Sequence, residues 1–417
     1  MPRPIDAAYL AAAIAASPVW LPRMIRTGKI RTDWPARFGR GEDLPKATGR
    51  RVLLHAVSVG EVNATDLLVD QLQAGEPAIE PVVATTTDTG FARAMALFEG
   101  RCPVVRYPFD TSGAVRRLFD RVRPDAIGLV ELEVWPNFLR EAAKRGIPVA
   151  VVNGRLSERS HRRYARITPI ARRLFGRLAI AAVQDETYAA RFRSMGMPSA
   201  RIEVTGNMKW DTARIADEVP GAEALAEAMG IVRDRPLVVA GSTAPIEHAM
   251  LHEAVGDGVQ LLCAPRRPEW FDDAAADLPG CARRSRGDTG SQSDRFLLDT
   301  IGELRMAYAL ADVVVIGRTF GDLGGSDMIE PIALGKPTIV GPDVTNFAAI
   351  ATDLLRAGGL VQTTSDRLSD EIKGLLFDRD LAEQLVEDGR NFIRTRQGAT
   401  ARHAAILREL ATCKVNP

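Results

Sequence analysis

Short apolar runs alternate with amphipathic stretches along most of this 417-residue chain, and this alternation constrains the fold more than any other feature. In the first half, strands are predicted for the apolar runs at 52–57, 81–86, 126–130, 148–152, 183–184 and 202–205. Helical spacing separates them, over 62–73, 90–98 and 137–145. Strands that alternate with helices indicate a parallel sheet covered on both faces. We therefore expect one α/β domain over 31–212.

The same alternation restarts after a polar, alanine-rich stretch at 211–235, which we interpret as a linker. Strands are predicted at 237–240, 260–264, 295–298, 313–316 and 338–340, and helices at 247–254, 304–311, 346–357, 369–376 and 400–411. The expected second α/β domain spans 213–417 and is closed by the C-terminal helix. Ligands of such sheets bind at the carboxyl ends of the strands, so two facing domains predict an interdomain cleft.

Charge is distributed unevenly between the two halves. Residues 1–210 hold 32 basic and 21 acidic side chains, so 32 − 21 = +11, and the rest hold 22 and 32, so 22 − 32 = −10. Eight arginines fall between Arg155 and Arg177, which favours an anionic partner such as phosphorylated lipid. A solvated helix face is the alternative. Nucleic acid is less favoured, because only Tyr164 and Phe175 are available there for base stacking.

The N-terminal segment 7–22 carries no charge and is followed by Arg23, Arg26, Lys29 and Arg31. It falls short of the ~20 apolar residues needed to span a bilayer. We therefore expect residues 1–30 to form either a membrane-surface anchor or a helix packed on its own domain.

Several common sites are excluded. No G-x-G-x-x-G, P-loop, G-x-S-x-G or H-E-x-x-H sequence occurs, so hydride transfer, ATP hydrolysis, esterase and zincin chemistry lack their usual loops. His248 and His252 could share a helix face, but without a third ligand we interpret them as part of a solvated face rather than a metal site. The cysteines are too far apart for a disulfide framework or a zinc ribbon: Cys102, Cys263, Cys281 and Cys413.

Carboxylates follow two predicted strands of the first domain. Gly60 permits a tight turn, and Glu61 then lies at a helix N-terminus, either as a favoured helix-opening residue or as a general base. Glu131 and Glu133 are expected on one side of the chain at a period of two. If Glu131 approaches Glu61, their repulsion raises one pKa and suits that group to take a proton near neutral pH.

The segment 324–331 of the second domain follows a strand and opens a predicted helix. Its glycines let a ligand approach the backbone, and the helix N-terminus, with Pro331 at the first helical position, suits a phosphate. Asp327 and Glu330 fit a capping box equally well, or contacts with ribose hydroxyls. Arg266 and Arg267 end another strand and could bind a phosphate or a carboxylate.

Taken in order, eight short motifs resemble the 3-deoxy-D-manno-octulosonic acid (Kdo) transferases, over about residues 20–360. They lie at 55–61, 131–137, 153–157, 206–209, 265–266, 302–304, 324–331 and 341–347. Members of that family are inverting glycosyltransferases of the α/β GT-B fold, with two Rossmann-like domains facing a cleft. The resemblance implies that 31–212 binds the acceptor and 213–417 the donor.

The resemblance also implies the substrates and the roles of individual residues. The donor would be CMP-Kdo and the acceptor a lipid A precursor (lipid IVA), in lipopolysaccharide core biosynthesis. Glu61 would be the general base, with Glu131 and Lys209 supporting the transition state. The implied donor-binding residues are Pro265, Arg266, Gly302, Glu303, Leu304, Asp327, Met328, Ile329 and Glu330. Candidates for binding an anionic acceptor are Ser58, Gly60, Arg155 and Arg159.

No metal or cofactor is expected, since helix N-termini and basic residues can hold the leaving phosphate. The expected location is the cytoplasmic side of the inner membrane, peripheral or N-terminally anchored. The chain departs from the family pattern at Ser326 and Asp327, where His-Asn is usual, and at Arg267, where His is usual. The alternatives are a GT-B transferase for another nucleotide sugar, a non-catalytic nucleotide- or anionic-lipid-binding protein, and a nucleic-acid binder. Intact Glu61, Glu131 and Lys209 argue against the non-catalytic protein.

Overall fold

The computed structural model describes residues 4–26, 32–290 and 293–413, and these form two compact units. The first unit comprises the described residues up to Thr212 together with 397–413, and the second spans Ala213–Arg396. The basic residues Lys29 and Arg31 of the expected anchor lie outside the described residues.

The described part of the first unit forms a seven-stranded parallel sheet in the order β3-β2-β1-β4-β5-β6-β7. Its strands are β1 (Arg50–His55), β2 (Ile79–Thr85), β3 (Val104–Arg106), β4 (Ala126–Val130), β5 (Val149–Gly154), β6 (Ile180–Val183) and β7 (Ile202–Val204). Its helices up to Thr212 are α1 (Pro4–Ala15), α2 (Ser17–Arg26), α3 (Trp34–Arg37), α4 (Val59–Ala64), α5 (Asp66–Ala74), α6 (Asp88–Phe98), α7 (Ser112–Val122), α8 (Pro136–Lys144), α9 (Glu158–Ala165), α10 (Thr168–Phe175) and α11 (Glu186–Ser194).

The described part of the second unit forms another seven-stranded parallel sheet, in the order β10-β11-β9-β8-β12-β13-β14. Its strands are β8 (Leu237–Thr243), β9 (Gln260–Pro265), β10 (Ala282–Arg283), β11 (Arg295–Leu297), β12 (Val313–Ile316), β13 (Thr338–Val340) and β14 (Val361–Gln362). Its helices are α12 (Ala222–Met229), α13 (Pro245–Ala254), α14 (Phe271–Asp277), α15 (Leu304–Leu310), α16 (Ile329–Ala333), α17 (Ala348–Arg356), α18 (Leu368–Phe377) and α19 (Arg379–Arg396). The two predicted parallel-sheet α/β folds are thus confirmed.

Both faces of the first sheet are buried, which explains the nearly continuous apolar runs of its strands. Leu53 packs into the cluster on one face, whereas its neighbours Val52 and Leu54 pack into the cluster on the other. Successive side chains of a strand point to opposite faces, so one run of sequence supplies both cores.

The C-terminal helix α20 (Ala399–Thr412) packs on the first sheet, although the sequence assigned 213–417 to the second domain. Leu407 is fully buried there, and a Cβ on Gly128 would lie only 3.2 Å from its side chain. Asp211 caps the helix by accepting the backbone N–H groups of Gly398 and Thr400, at 2.5 Å each. Amphipathic spacing predicted this helix, but that spacing does not specify which sheet the helix covers.

Several local predictions differ from the structure. The helix expected at 62–73 is two helices, α4 and α5, which meet at Thr65. The stretch interpreted as a linker contains α12. Helix α16 begins at Ile329, so Pro331 occupies its third position rather than its first. In each case the residue types were compatible with both arrangements, and tertiary packing selected one of them.

Helices α1 and α2 form a pair bent by 67°. Within the described residues no single helix is long and apolar enough to cross a bilayer, although this bent pair together meets the criteria of length and composition. The pair is tied to its own unit: Asp6 accepts the backbone N–H of Ser112 at 2.9 Å, and the Tyr9 hydroxyl donates to Asp110 at 3.0 Å.

Candidate active site

The candidate catalytic carboxylates of the first unit come from the loops that follow β1 and β4. These strands are neighbours, and the strand order of the sheet reverses between them. Connections that leave such a switch point in opposite directions open a crevice at the carboxyl edge of the sheet, where ligands of this fold class bind. The topology thus brings Glu61 and Glu131 to one edge, as the sequence predicted.

Glu61 lies in the first turn of α4, and the helix cap holds its carboxylate. Val57 N–H donates to Oε2 and the Ser58 hydroxyl donates to Oε1, both at 2.8 Å. Burial raises the pKa of Glu61, the hydrogen bonds from Val57 and Ser58 oppose this, and nearby Glu131 raises it further. The predicted influence of Glu131 on Glu61 is therefore present. Each carboxylate oxygen keeps a second lone pair that can accept a hydrogen bond from a ligand.

Glu131 adopts a left-handed backbone conformation, with φ at 59°. Its N–H donates to Val152 O at 3.0 Å, and its carbonyl accepts the N–H of Arg155 at 3.2 Å. Strand β4 ends at Val130, so Glu131 and Glu133 do not continue a strand at a period of two. Non-glycine residues with positive φ cost of order 1–3 kcal/mol and cluster at functional sites.

Glu133 is a further site residue, for which the sequence indicated a position beside Glu131 but no catalytic role. Burial raises its pKa to about 7, and repulsion from Glu61 and Glu131 adds to the effect. Its carboxylate accepts a hydrogen bond from the Trp135 indole at 2.7 Å, which opposes that rise. A carboxylate that titrates near neutral pH can exchange protons during a reaction. The repeated Glu in Glu-Leu-Glu-Val-Trp-Pro was the available signal, but its burial depends on the tertiary structure.

Glu61, Glu131, Glu133 and Arg155 line one cavity of about 630 Å³, which we call the carboxylate cavity. Its wall also includes Tyr9, Leu132, Val134, Trp135, Pro136, Ser157, Ser160, Tyr164, Ile167, Ile170 and Leu174. A volume of several hundred Å³ is typical of small-molecule sites, and here three glutamates and Arg155 supply convergent polar groups.

The other predicted acceptor residues lie elsewhere. Ser58 and Gly60 are in the loop and first turn that carry Glu61, and Ser58 acts on its carboxylate rather than on the cavity wall. Arg159 lines a separate cavity of about 410 Å³ with Arg162, Arg163 and Arg166 on α9 and the residues after it. The structure therefore groups Arg155 with the carboxylates and Arg159 with the arginine-rich surface.

Lys209 belongs to a short 3₁₀ turn, Met208–Trp210, after β7. The Asn207 side chain accepts the N–H of Lys209 at 3.0 Å, and the Asn153 side chain accepts the N–H of Met208 at 3.1 Å. Buried His403 of α20 accepts the Asn153 N–H at 3.2 Å, so the C-terminal helix supports this turn. The described residues that line the carboxylate cavity do not include Lys209.

In the second unit, the corresponding switch point lies between β8 and β12. Fully buried Glu247 organises the loop after β12, because its carboxylate accepts N–H groups from Arg318, Thr319 and Phe320 at 2.8, 2.9 and 3.1 Å. A fourth N–H, that of Ala244, donates at 2.9 Å. Helical spacing predicted Glu247 only as a helix residue, and nothing local in the sequence indicates this long-range role.

That loop carries the predicted donor residues 327–330. Asp327 is exposed, and its side chain accepts the N–H of Ile329 at 2.9 Å. Met328 and Ile329 are buried. Glu330 pairs with Arg305 at 3.1 Å instead of closing a capping box. Ser326 is buried, and its hydroxyl has no hydrogen-bond partner within the described structure.

The remaining donor candidates lie at neighbouring positions of the second unit. Pro265 ends β9, and exposed Arg266 follows it, with its N–H bonded to Thr243 O at 2.9 Å. Glu303 precedes α15, and its carboxylate accepts a hydrogen bond from the Arg284 guanidinium at 2.9 Å. This interaction lowers the pKa of Glu303. Burial and nearby Glu330 and Asp327 raise the pKa of Tyr308, whereas Arg266 acts in the opposite sense. Arg266, Asp327 and Glu330 therefore all lie close enough to Tyr308 to influence its pKa.

Gly302 has φ at 100°, and half-buried Leu304 begins α15, so both lie beside the Arg284–Glu303 pair.

The interpretation of His248 and His252 as part of a solvated helix face was wrong. His248 is buried against the Thr243 hydroxyl at 2.9 Å, and His252 accepts a hydrogen bond from Arg295 at 2.9 Å. Among the described residues, no group of three His, Cys, Asp or Glu side chains could hold a metal ion.

Comparison with known proteins gives consistent matches. The family model described as 3-deoxy-D-manno-octulosonic-acid transferase (kdotransferase) matches residues 32–212. The 3-deoxy-D-manno-octulosonic acid transferase of Bordetella pertussis is 34% identical over 411 residues, covering 92% of this chain and 94% of that protein. The enzyme of the same name from Haemophilus influenzae is 30% identical, covering 92% of each chain.

A solved glycosyltransferase from Rickettsia africae matches the structure with a TM-score of 0.58. It is 12% identical, and the match covers 88% of this chain and all of that one, so it bears on the fold alone. The two parallel-sheet units have the GT-B architecture that the resemblance implied. Given the identity to the Bordetella and Haemophilus enzymes over nearly its whole length, the chain belongs to the 3-deoxy-D-manno-octulosonic acid transferase family of glycosyltransferases.

Proposed function

We propose that this protein transfers Kdo from CMP-Kdo to a hydroxyl of a phosphorylated lipid A precursor, lipid IVA, with inversion at the anomeric carbon. The observation that carries the proposal is the position of Glu61 at the switch point of the first sheet and on the wall of the carboxylate cavity. The donor follows from the membership of this chain in a family of Kdo transferases. A single displacement with inversion requires one base directed at the attacking hydroxyl.

Glu61 is suited to act as that base. Its pKa is raised by burial, which makes the carboxylate a better proton acceptor than an exposed glutamate. The bonds from Val57 and Ser58 fix the carboxylate without using all its lone pairs. Glu61 takes the proton from the acceptor hydroxyl as that oxygen attacks, and CMP leaves from the opposite face. A general base of this kind contributes typically 10²–10⁴-fold in rate.

The donor is assigned to the second unit. Exposed Arg266 offers a guanidinium to the CMP phosphate, and Glu247 holds the loop after β12 in place by accepting three of its N–H groups. We propose that Arg266 stabilises the leaving phosphate, so that neither a metal nor a cofactor is needed. Exposed Asp327 adds a negative charge near this site, since both Asp327 and Arg266 influence buried Tyr308.

We further propose that the protein acts at the cytoplasmic face of the inner membrane. The bent pair α1–α2 exposes apolar side chains, among them Ile14, Val19 and Ile25, at 64%, 76% and 58% of their surface. The arginines of α9 and α10 are exposed as well. Apolar side chains and basic groups together favour adsorption to an anionic bilayer.

The test is incubation of the full chain with CMP-Kdo and tetraacylated lipid A precursor, followed by mass spectrometry of the lipid. We expect a mass increase of one or more Kdo residues, and NMR of the product should give the anomeric configuration opposite to that of the donor. No increase with CMP-Kdo, but an increase with another nucleotide sugar, would contradict the proposed donor. Retention of configuration would contradict a single displacement with Glu61 as base.

A further inference from the structure

An apolar groove of about 680 Å³ lies beside the carboxylate cavity, and we call it the aromatic groove. Its wall is formed mainly by Leu10 and Ala13 of α1, Trp20 of α2, Trp34, Phe38 and Phe109. The rings of Trp34 and Phe38 lie 6.4 Å apart, and those of Phe38 and Phe109 lie 5.6 Å apart. These side chains form one continuous apolar surface.

Much of this surface is not covered by the residues that the structure describes. Phe38 and Phe109 keep 44% and 42% of their surface exposed, and Leu10 keeps 62%. Contiguous exposed aromatic and aliphatic groups of this kind mark binding sites, because leaving them in water is unfavourable.

The groove lies next to the carboxylate cavity. Tyr9 and Trp135 line both, so the two spaces share a wall. Trp135 also donates its indole N–H to Glu133, which places the apolar wall directly beside a cavity carboxylate. A ligand with a polar head among the carboxylates and an apolar tail in the groove would pass along Tyr9 and Trp135.

The α1 wall of the groove is part of the fold. Asp6 and Tyr9 fasten α1 to Ser112 and Asp110, across more than a hundred residues of sequence. The Trp20 indole donates to Ala13 O at 2.9 Å and ties α2 to α1. The two helices thus hold a preformed opening, which reduces the ordering cost of binding a tail.

We propose that the aromatic groove binds one acyl chain of the lipid acceptor while its phosphorylated sugar occupies the carboxylate cavity. This inference rests on the proposed function for the identity of the head group. The groove is concave and flanks the site where the head group would react, which favours a single hydrocarbon chain over a protein surface. The acyl subsite would orient the acceptor so that one hydroxyl faces Glu61.

The test measures binding separately from transfer. The full chain is titrated with glucosamine phosphates that each carry one brominated acyl chain, in a series of increasing length and below the concentration at which they form micelles. Bromine quenches tryptophans in contact with the chain, and Trp20, Trp34 and Trp135 line the groove. We expect affinity to rise about fourfold for each added methylene, and then to level off once the groove is full.

Two variants of α1 make a matched pair. Ala13→Phe places a ring in the groove, whereas Ala12→Phe makes the same change at an exposed position that is not among the lining residues. Ala13→Phe should shift the plateau to shorter chains and weaken binding of the longest at least tenfold, and Ala12→Phe should change neither. Equal effects of the two variants, or affinity that rises with length without a plateau, would overturn the inference.

Transfer assays separate this inference from the proposed function. With CMP-Kdo as donor, Ala13→Phe should raise KM for the acylated acceptor and leave the rate with a deacylated acceptor unchanged. If no acceptor receives Kdo, the proposed function fails, and the quenching series still decides whether the groove binds an acyl chain.

Discussion

Replacing Glu133 by Gln tests the electrostatics of the carboxylate cavity. Burial, with the charges of Glu61 and Glu131, raises the pKa of Glu133 from its ordinary value of 4.5 to about 7. The difference corresponds to about 3 kcal/mol, at about 1.4 kcal/mol for each unit of pKa. Because the side chain is partly exposed, we expect about 2–3 kcal/mol in practice.

The sign follows from which state binds the proton more tightly. The folded protein holds the proton on Glu133 up to about pH 7, whereas the unfolded chain loses it near 4.5. The stabilisation from Glu133 is thus fully present below 4.5 and is lost as pH rises through 7. Gln carries no charge, so the unfolding free energy of Glu133→Gln relative to wild type should increase by about 2–3 kcal/mol between about pH 5 and about pH 8.

Urea unfolding of both proteins at the two pH values measures this change, and any pH-independent effect of the amide cancels. Exposed Glu99 provides the control, because Glu99→Gln should show no such pH dependence. If wild type and Glu133→Gln respond to pH equally, Glu133 does not titrate as described and the reasoning about the cavity is refuted.

Three further substitutions test other parts of the structure. Glu247→Gln should lower the unfolding free energy by about 2–4 kcal/mol, because four N–H groups, two of them fully buried, lose a charged acceptor. Exposed Glu253 lies on the same helix, and Glu253→Gln should be neutral in calorimetry. Arg266→Ala should weaken CMP binding about tenfold in calorimetric titration, and an effect no larger than that of Arg267→Ala would contradict its role. Gly128→Ala should lower the unfolding free energy by about 1–3 kcal/mol, because the added methyl group crowds α20. Amide hydrogen exchange in α20 should then be faster than in wild type, and unchanged exchange would contradict this.

The sequence predicted the central strands and the edge where the candidate residues meet, because parallel strands are apolar throughout and their loops share one side. Helices α7 and α19 were not predicted. In α7 the apolar residues, such as Leu118 and Phe119, are interleaved with arginines, and α19 buries only Leu385, Gly389 and Ile393 among its residues. Such helices have no long apolar run, and only their spacing could have indicated them.

Site chemistry was less predictable than site position. The raised pKa of Glu133 depends on burial by residues distant in the chain, and the packing of α20 depends on the space above Gly128. Likewise, three of the four hydrogen bonds of Glu247 connect residues about 70 positions apart. Local patterns contain no information on such contacts, whereas residues next to strand ends, such as Glu61, can be placed by topology alone.

If Glu61 removes the proton from the acceptor hydroxyl, as we propose, single-turnover transfer must depend on its carboxylate. Wild type and Glu61→Gln, each at a concentration that saturates the substrates, are mixed with CMP-Kdo and tetraacylated lipid A precursor. The lipid product is quantified by mass spectrometry, and CMP affinity is measured in parallel. For Glu61→Gln we expect CMP binding within about twofold of wild type and a transfer rate about 10²–10⁴-fold lower. Transfer by Glu61→Gln at the wild-type rate would show that Glu61 is not the base.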